Sequence, residues 1–132
     1  MENNTKSLGQ ADLLRLLEYR VYFNNPNHEF GRLDERGYAV EATGVQSFRE
    51  LLYEMEFLIS PFDWRTWLNG QEKLRDLDQP IEKVLQTFDI EDLRKLMTAY
   101  IRGDRYVEGA FLKACSTGKI GAILNRIAEL LG

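Results

Sequence analysis

Apolar residues recur at helical spacing in seven stretches of the chain. Leu13, Leu14, Leu16, Leu17 and Val21 give a wide apolar face to a first helix from Leu8 to Tyr22. Ser7 stands at the N-cap position, with Gln10 three residues on in capping-box position. The Asn24-Asn25-Pro26-Asn27 cluster ends that helix, because proline disfavours α geometry in the residue before it. A second helix, about Ser47 to Leu58, turns Phe48, Leu51, Leu52, Met55 and Leu58 to one side, with Ser47 as cap and Glu50 completing the box. The turn Ser60-Pro61-Phe62-Asp63-Trp64 delivers Asp63 as cap of a third, short helix with Trp64, Trp67 and Leu68 inward. Pro80 suits the first turn of a fourth, which buries Ile81, Val84, Leu85 and Phe88. Asp89 caps a fifth, with Leu93, Leu96, Met97, Tyr100 and Ile101 inward and Gly103 at its end. The sixth spans about Arg105 to Ser116 and stops at Gly118. The last runs from Ile120 to Leu131 on Ile120, Ile123, Leu124, Ile127 and Leu131.

Residues 24–46 form the longest irregular stretch and hold Gly31, Gly37, Gly44 and the single histidine, His28. Tyr38-Ala39-Val40 alternates, so a short extended element within 37–42 fits, but one strand without a partner is not a sheet. Loops of this length are usually functional or disordered. Phe23, Phe30 and Leu33 pin this one to the core. The pattern predicts an all-α fold: a compact bundle of six to seven short helices, one domain over residues 1–132, with one long loop near 24–46.

Composition agrees. Hydrophobic residues at 44% and charged residues at 29% belong to a folded globule. Cys115 is the only cysteine, so no internal disulfide forms and a reducing compartment is expected. Residues 1–88 carry 15 acids and 10 bases, net −5, and residues 89–132 carry 6 and 7, net +1, which sum to −4. Neither part has the basic balance that phosphate backbones attract, so nucleic acid is not an expected partner. No apolar run reaches the roughly 20 residues of a membrane span, and Met1-Glu2-Asn3-Asn4-Thr5-Lys6 lacks a signal-peptide layout. A cytoplasmic protein is expected, without a membrane partner.

The densest ionisable group is Arg102-Gly103-Asp104-Arg105-Tyr106-Val107-Glu108-Gly109. Arginines grip phosphate or carboxylate bidentately, and Gly109 admits a close approach of ligand or backbone. The group therefore reads as an anion or nucleotide pocket. Capping and pairing are the commoner uses of such residues, which favours an ion-pair network, with Asp104 capping the sixth helix and Arg102 or Arg105 tying neighbouring helices. In that arrangement Asp104 and Glu108, four apart on one helix, share a face and hold a guanidinium between them. Phe62-Asp63-Trp64 with Trp67 is either an aromatic platform for a planar ligand or a capped helix burying two tryptophans. Other chemistries fail on ligand type or spacing. Zinc lacks His and Cys partners, and Cys115 sits mid-helix among Phe111, Leu112 and Ala114, as an inert thiol does. Residues 25–36 miss the calcium-loop glycine and end on Arg36. Ser116-Thr117-Gly118-Lys119 lacks the earlier glycine of a phosphate loop. No metal and no cofactor are expected.

The stretch from Leu96 through Arg102-Gly103-Asp104-Arg105 to Gly109, then Gly118-Lys119-Ile120 and Ile123-Leu124, resembles a bacterial family of unknown function. The Leu-rich opening helix with Phe23 and Pro26, and Pro61-Phe62-Asp63-Trp64, share the likeness. The resemblance implies a small protein that stands alone or follows a macrodomain, a module that binds or hydrolyses ADP-ribose derivatives. Relatives of this kind carry a Cys near Val107 and a His-Trp pair near Ala110 and Phe111, where this chain is apolar.

Two functions follow as expectations. The first is a non-enzymatic binding or accessory domain recognising a small anionic, nucleotide-like ligand or a protein partner through Arg102, Asp104, Arg105, Glu108, Gly109, Asp63 and Trp64. The alternative is an enzyme on a nucleotide-like or ADP-ribose-related substrate, with Asp104 or Glu108 as general base and Arg102 and Arg105 holding the anion.

Overall fold

The structure is a computed structural model describing residues 8–75 and 79–132. Ser7, the expected first cap, lies outside the described residues. The chain runs α1 (Gln10–Leu17), α2 (Arg20–Asn24), β1 (Gly31–Leu33), β2 (Ala39–Glu41), α3 (Thr43–Glu54), α4 (Trp64–Asn69), α5 (Ile81–Val84), α6 (Ile90–Arg102), α7 (Ala110–Ser116) and α8 (Lys119–Leu131). It is predominantly helical, and the expectation of a purely helical fold needs one correction. β1 and β2 pair antiparallel, with Arg32 opposite Val40. The hairpin forms because Asp34 Oδ1 accepts from Arg36 N at 2.9 Å and Tyr38 N at 3.0 Å while Gly37 takes φ +85°. The long loop is thus largely this hairpin plus the start of α3.

Two helices differ in extent from the sequence pattern. The first breaks at Glu18 and Tyr19, whose N–H groups bond the carbonyls of Arg15 and Leu16 three residues back. The break turns the Tyr19 ring onto Phe48, centroids 5.2 Å apart. The second begins four residues before Ser47, because β2 leads straight into it through Ala42. It also ends early. Phe57 N bonds Leu52 O at 2.9 Å, Glu56 takes φ +57°, and buried Arg94 donates to the Glu56 and Phe57 carbonyls at 2.8 and 2.9 Å. By contrast, Asp63 and Asp89 cap where the pattern places them, accepting from Thr66 N at 3.2 Å and Asp92 N at 2.8 Å.

α8 is the spine. It buries Ile120, Ile123, Leu124 and Ile127 and packs against α1, α2, α5, α6 and α7. Gly121 lets α2 come close, since a Cβ there would stand 3.0 Å from the Phe23 carbonyl oxygen. Phe48, Phe57, Phe111, Leu96 and Met97 fill one core with these residues. Each large apolar side chain fully withdrawn from water contributes about 1.5–3 kcal/mol. Among the described residues, no helix is long and apolar enough to cross a membrane.

Candidate functional site

The hairpin, α3 and the turn before α7 meet at one side chain the sequence pattern did not single out, Arg49. Its Nε donates to Glu41 Oε1 at 3.2 Å, and its Nη2 donates to Glu41 Oε2 and, at 2.9 Å, to Asp104 Oδ2. Asp104 Oδ1 accepts from Phe111 N at 2.8 Å, and the guanidinium lies 4.8 Å from the Phe111 ring centroid. The three charged side chains are only 13–28% exposed. Burial alone would lower the Arg49 pKa. Hydrogen bonds to Glu41 and Asp104, and their charges, more than offset this and raise it, so the cation is firmly held.

This geometry corrects the network expected at the 102–109 turn. Gly103–Arg105 is a 3-10 turn and α7 begins only at Ala110, so Asp104 and Glu108 share no helix. Asp104 turns to Arg49, and Glu108 Oε2 accepts from Ala39 N at 2.7 Å. Gly109 suits its place in the fold. Its φ is +78°, and a Cβ there would stand 3.3 Å from Leu33 Cδ2 and 3.8 Å from Ala39 Cβ. Arg102 and Arg105 carry no hydrogen bond or ion pair among the described residues. Arg105 is exposed, and Arg102 lines a shallow cleft with Tyr53 and Ser60.

The second candidate region adjoins the first. Trp64 lies 5.8 Å from Tyr106, centroid to centroid, and the Arg65 guanidinium stands 4.6 Å over the same ring. Trp67 and Leu68 face inward and are half-buried, Trp67 against Phe88 at 6.4 Å. Asp63 is spent as the α4 cap, and its hydrogen bonds to Thr66 hold its carboxyl below the usual range. Tyr106, Val107 and Leu33 are 62%, 63% and 57% exposed, so the turn and the hairpin each present apolar side chains to solvent.

The remaining candidates are less reactive than their letters imply. Cys115 and His28 border one cleft, but burial, with Glu41 nearby, pushes the thiol up to about 12, which leaves it protonated. Among the described residues, no group of three or more His, Cys, Asp or Glu side chains gathers to hold a metal ion.

The profile of a family of unknown function (DUF6508) matches residues 9–132. The chain belongs to that family. The DUF6508 match spans the hairpin, the Arg49 hub and the 102–109 turn together, so the site is a feature of the domain rather than of an appended segment. No curated protein and no solved structure matches the chain significantly.

Proposed function

We propose that this chain is a non-enzymatic recognition domain whose Arg102–Gly109 face binds an acidic segment of a partner protein. One observation carries the reading. The two carboxylates of the turn are consumed inside the fold, Asp104 by Arg49 and Phe111 N and Glu108 by Ala39 N, while Arg102 and Arg105 have no partner among the described residues. A general base must reach the proton it removes, and carboxylates already accepting short hydrogen bonds from the fold are poorly placed for that. Free guanidiniums seek carboxylate or phosphate. Tyr106, Val107 and Leu33 beside them give the aromatic and aliphatic surface on which protein hot spots are built. The resemblance to companions of macrodomains adds an accessory role beside such a module, in a bacterial cytoplasm.

A nucleotide-like anion is the second reading, with an enzyme on an ADP-ribose-related substrate as its extreme form. It draws on the Trp64–Tyr106 pair and Arg65, which offer a stacking surface next to cations. Titration of ¹⁵N-labelled protein separates the two. A short peptide alternating glutamate and leucine is expected to shift amides in 31–41 and 102–109, with an affinity that falls as salt rises. Shifts confined to the surroundings of Trp64 and Tyr106, produced by ADP-ribose and not by the peptide, would replace the first reading by the second.

A further inference from the structure

The two outer edges of the hairpin are finished differently. Ala42 N bonds Phe30 O at 2.8 Å and Asp34 N bonds Tyr38 O at 2.8 Å, so the bonded pairs of the ladder run from Phe30 with Ala42, through Arg32 with Val40, to Asp34 with Tyr38. The backbone groups of Gly31 and Leu33 on β1, and of Ala39 and Glu41 on β2, therefore point away from the neighbouring strand. On β2 this outer edge is closed by side chains. Glu108 Oε2 accepts from Ala39 N at 2.7 Å, and Gln46 Nε2 donates to Glu41 O at 3.2 Å. On β1 it is open. The N–H and C=O groups of Gly31 and Leu33 have no partner among the described residues, and Arg32 and Leu33 are exposed. The Arg32 side chain has no ion pair among the described residues and shares the solvent face with Val40. Leu33 lies on the other face, beside the 102–109 turn, its Cδ2 3.3 Å from where a Cβ on Gly109 would stand.

We propose that the partner segment binds as an added antiparallel strand on the free edge of β1, with a carboxylate opposite Arg32 and apolar residues opposite Gly31 and Leu33. The inference rests on the reading of the Arg102–Gly109 face as a site for an acidic segment, and it states how that segment is held. An extended chain brings N–H and C=O groups at the same two-residue spacing that Gly31 and Leu33 present. Arg32 stands between them at a non-bonded position of the new pair, where facing side chains come closest, so its charge selects what lies opposite. A second copy of this chain, paired through β1 about Arg32, would set one guanidinium against the other, and like charges so placed are destabilising. A carboxylate in that place is favourable. The alternation of the added strand then turns its apolar residues to the Leu33 face, where Leu33 is 57% exposed next to the turn.

The test titrates the full ¹⁵N-labelled chain with a short peptide alternating leucine and glutamate, and with the same peptide N-methylated either at its leucines or at its glutamates. In the proposed register the leucine N–H groups face β1 and the glutamate N–H groups face away. N-methylation at leucine is expected to weaken binding about tenfold or more, and N-methylation at glutamate to leave it within about twofold. Nuclear Overhauser contacts are expected between Arg32 Hα and a glutamate Hα of the peptide. Arg32→Glu is expected to weaken the glutamate peptide about five- to tenfold and to favour one alternating leucine and lysine. The position is exposed, so circular dichroism should show an intact fold. Equal affinity of the two methylated peptides, with shifts still present at 102–109, would overturn the added strand and leave the recognition reading standing. Absence of binding by the unmodified peptide would overturn both. Concentration-dependent shifts at 31–33 without peptide would give the edge to a second copy of the chain and overturn the proposal.

Discussion

Arg49 Nη2 stands 2.9 Å from Asp104 Oδ2, and the other oxygen of that carboxylate accepts from Phe111 N at 2.8 Å. One aspartate thus ties α3 to the start of α7, and Glu41 brings the hairpin to the same guanidinium. Arg49→Lys keeps the charge but cannot place two planar N–H groups on Glu41 while reaching Asp104 and covering Phe111. The expected cost is about 1–2 kcal/mol, measured by urea unfolding, with an unchanged slope.

Gly109→Ala is expected to destabilise the chain by about 1–2 kcal/mol, because its φ of +78° disfavours any Cβ and the new methyl would press on Leu33. A null effect in urea unfolding would show that the turn can relax away from the hairpin.

Glu56 occupies a left-handed conformation that glycine adopts without cost. Glu56→Gly is expected to be stabilising by about 0.5–1 kcal/mol, since relief of the native strain exceeds the extra freedom of the unfolded chain. Thermal unfolding at fixed pH would detect the rise as a higher Tm.

The thiol of Cys115 is buried, and a pKa raised from 9.0 to about 12 lowers its thiolate fraction roughly a thousandfold near neutral pH. Iodoacetamide is therefore expected to label the native protein at least a hundredfold more slowly than the urea-unfolded chain, a ratio that discounts the shift for local opening. Equal rates in the two states would contradict the buried placement.

The sequence was most readable where a local signal decides the structure. Asp63 and Asp89 cap because their side chains bond N–H groups three residues on, an interaction written entirely in neighbouring letters. Ser47 misled because α3 begins at Thr43 behind Ala42, whose side chain caps nothing, and the preceding hairpin sets that start. The hairpin had its own local signal, Asp34 followed by Gly37 three residues later, but β1 is too short to show alternation. Arg49 was out of reach for a different reason. Its partners stand 8 and 55 positions away, one on a strand and one on a turn, and no helical periodicity relates them. The 102–109 cluster was correctly dense in charge, yet its pairing depended on Gly109 postponing α7, so the carboxylates turned to other elements. Val107, Ala110 and Phe111 show the same division. Val107 is exposed while Phe111 is buried beneath Arg49, a distinction set by that late helix start.

The carboxylates of the 102–109 turn hold the fold together, and its arginines do not. Urea unfolding of Arg49→Ala, Arg102→Ala and Arg105→Ala under one set of conditions measures this directly. Arg49→Ala strands Glu41 and Asp104 in partly buried positions and is expected to cost about 2–4 kcal/mol. Arg102→Ala and Arg105→Ala break no ion pair among the described residues and are each expected to stay within about 0.5 kcal/mol of the parent. A loss in Arg105→Ala or Arg102→Ala as large as that in Arg49→Ala would contradict the account and return those arginines to a structural role.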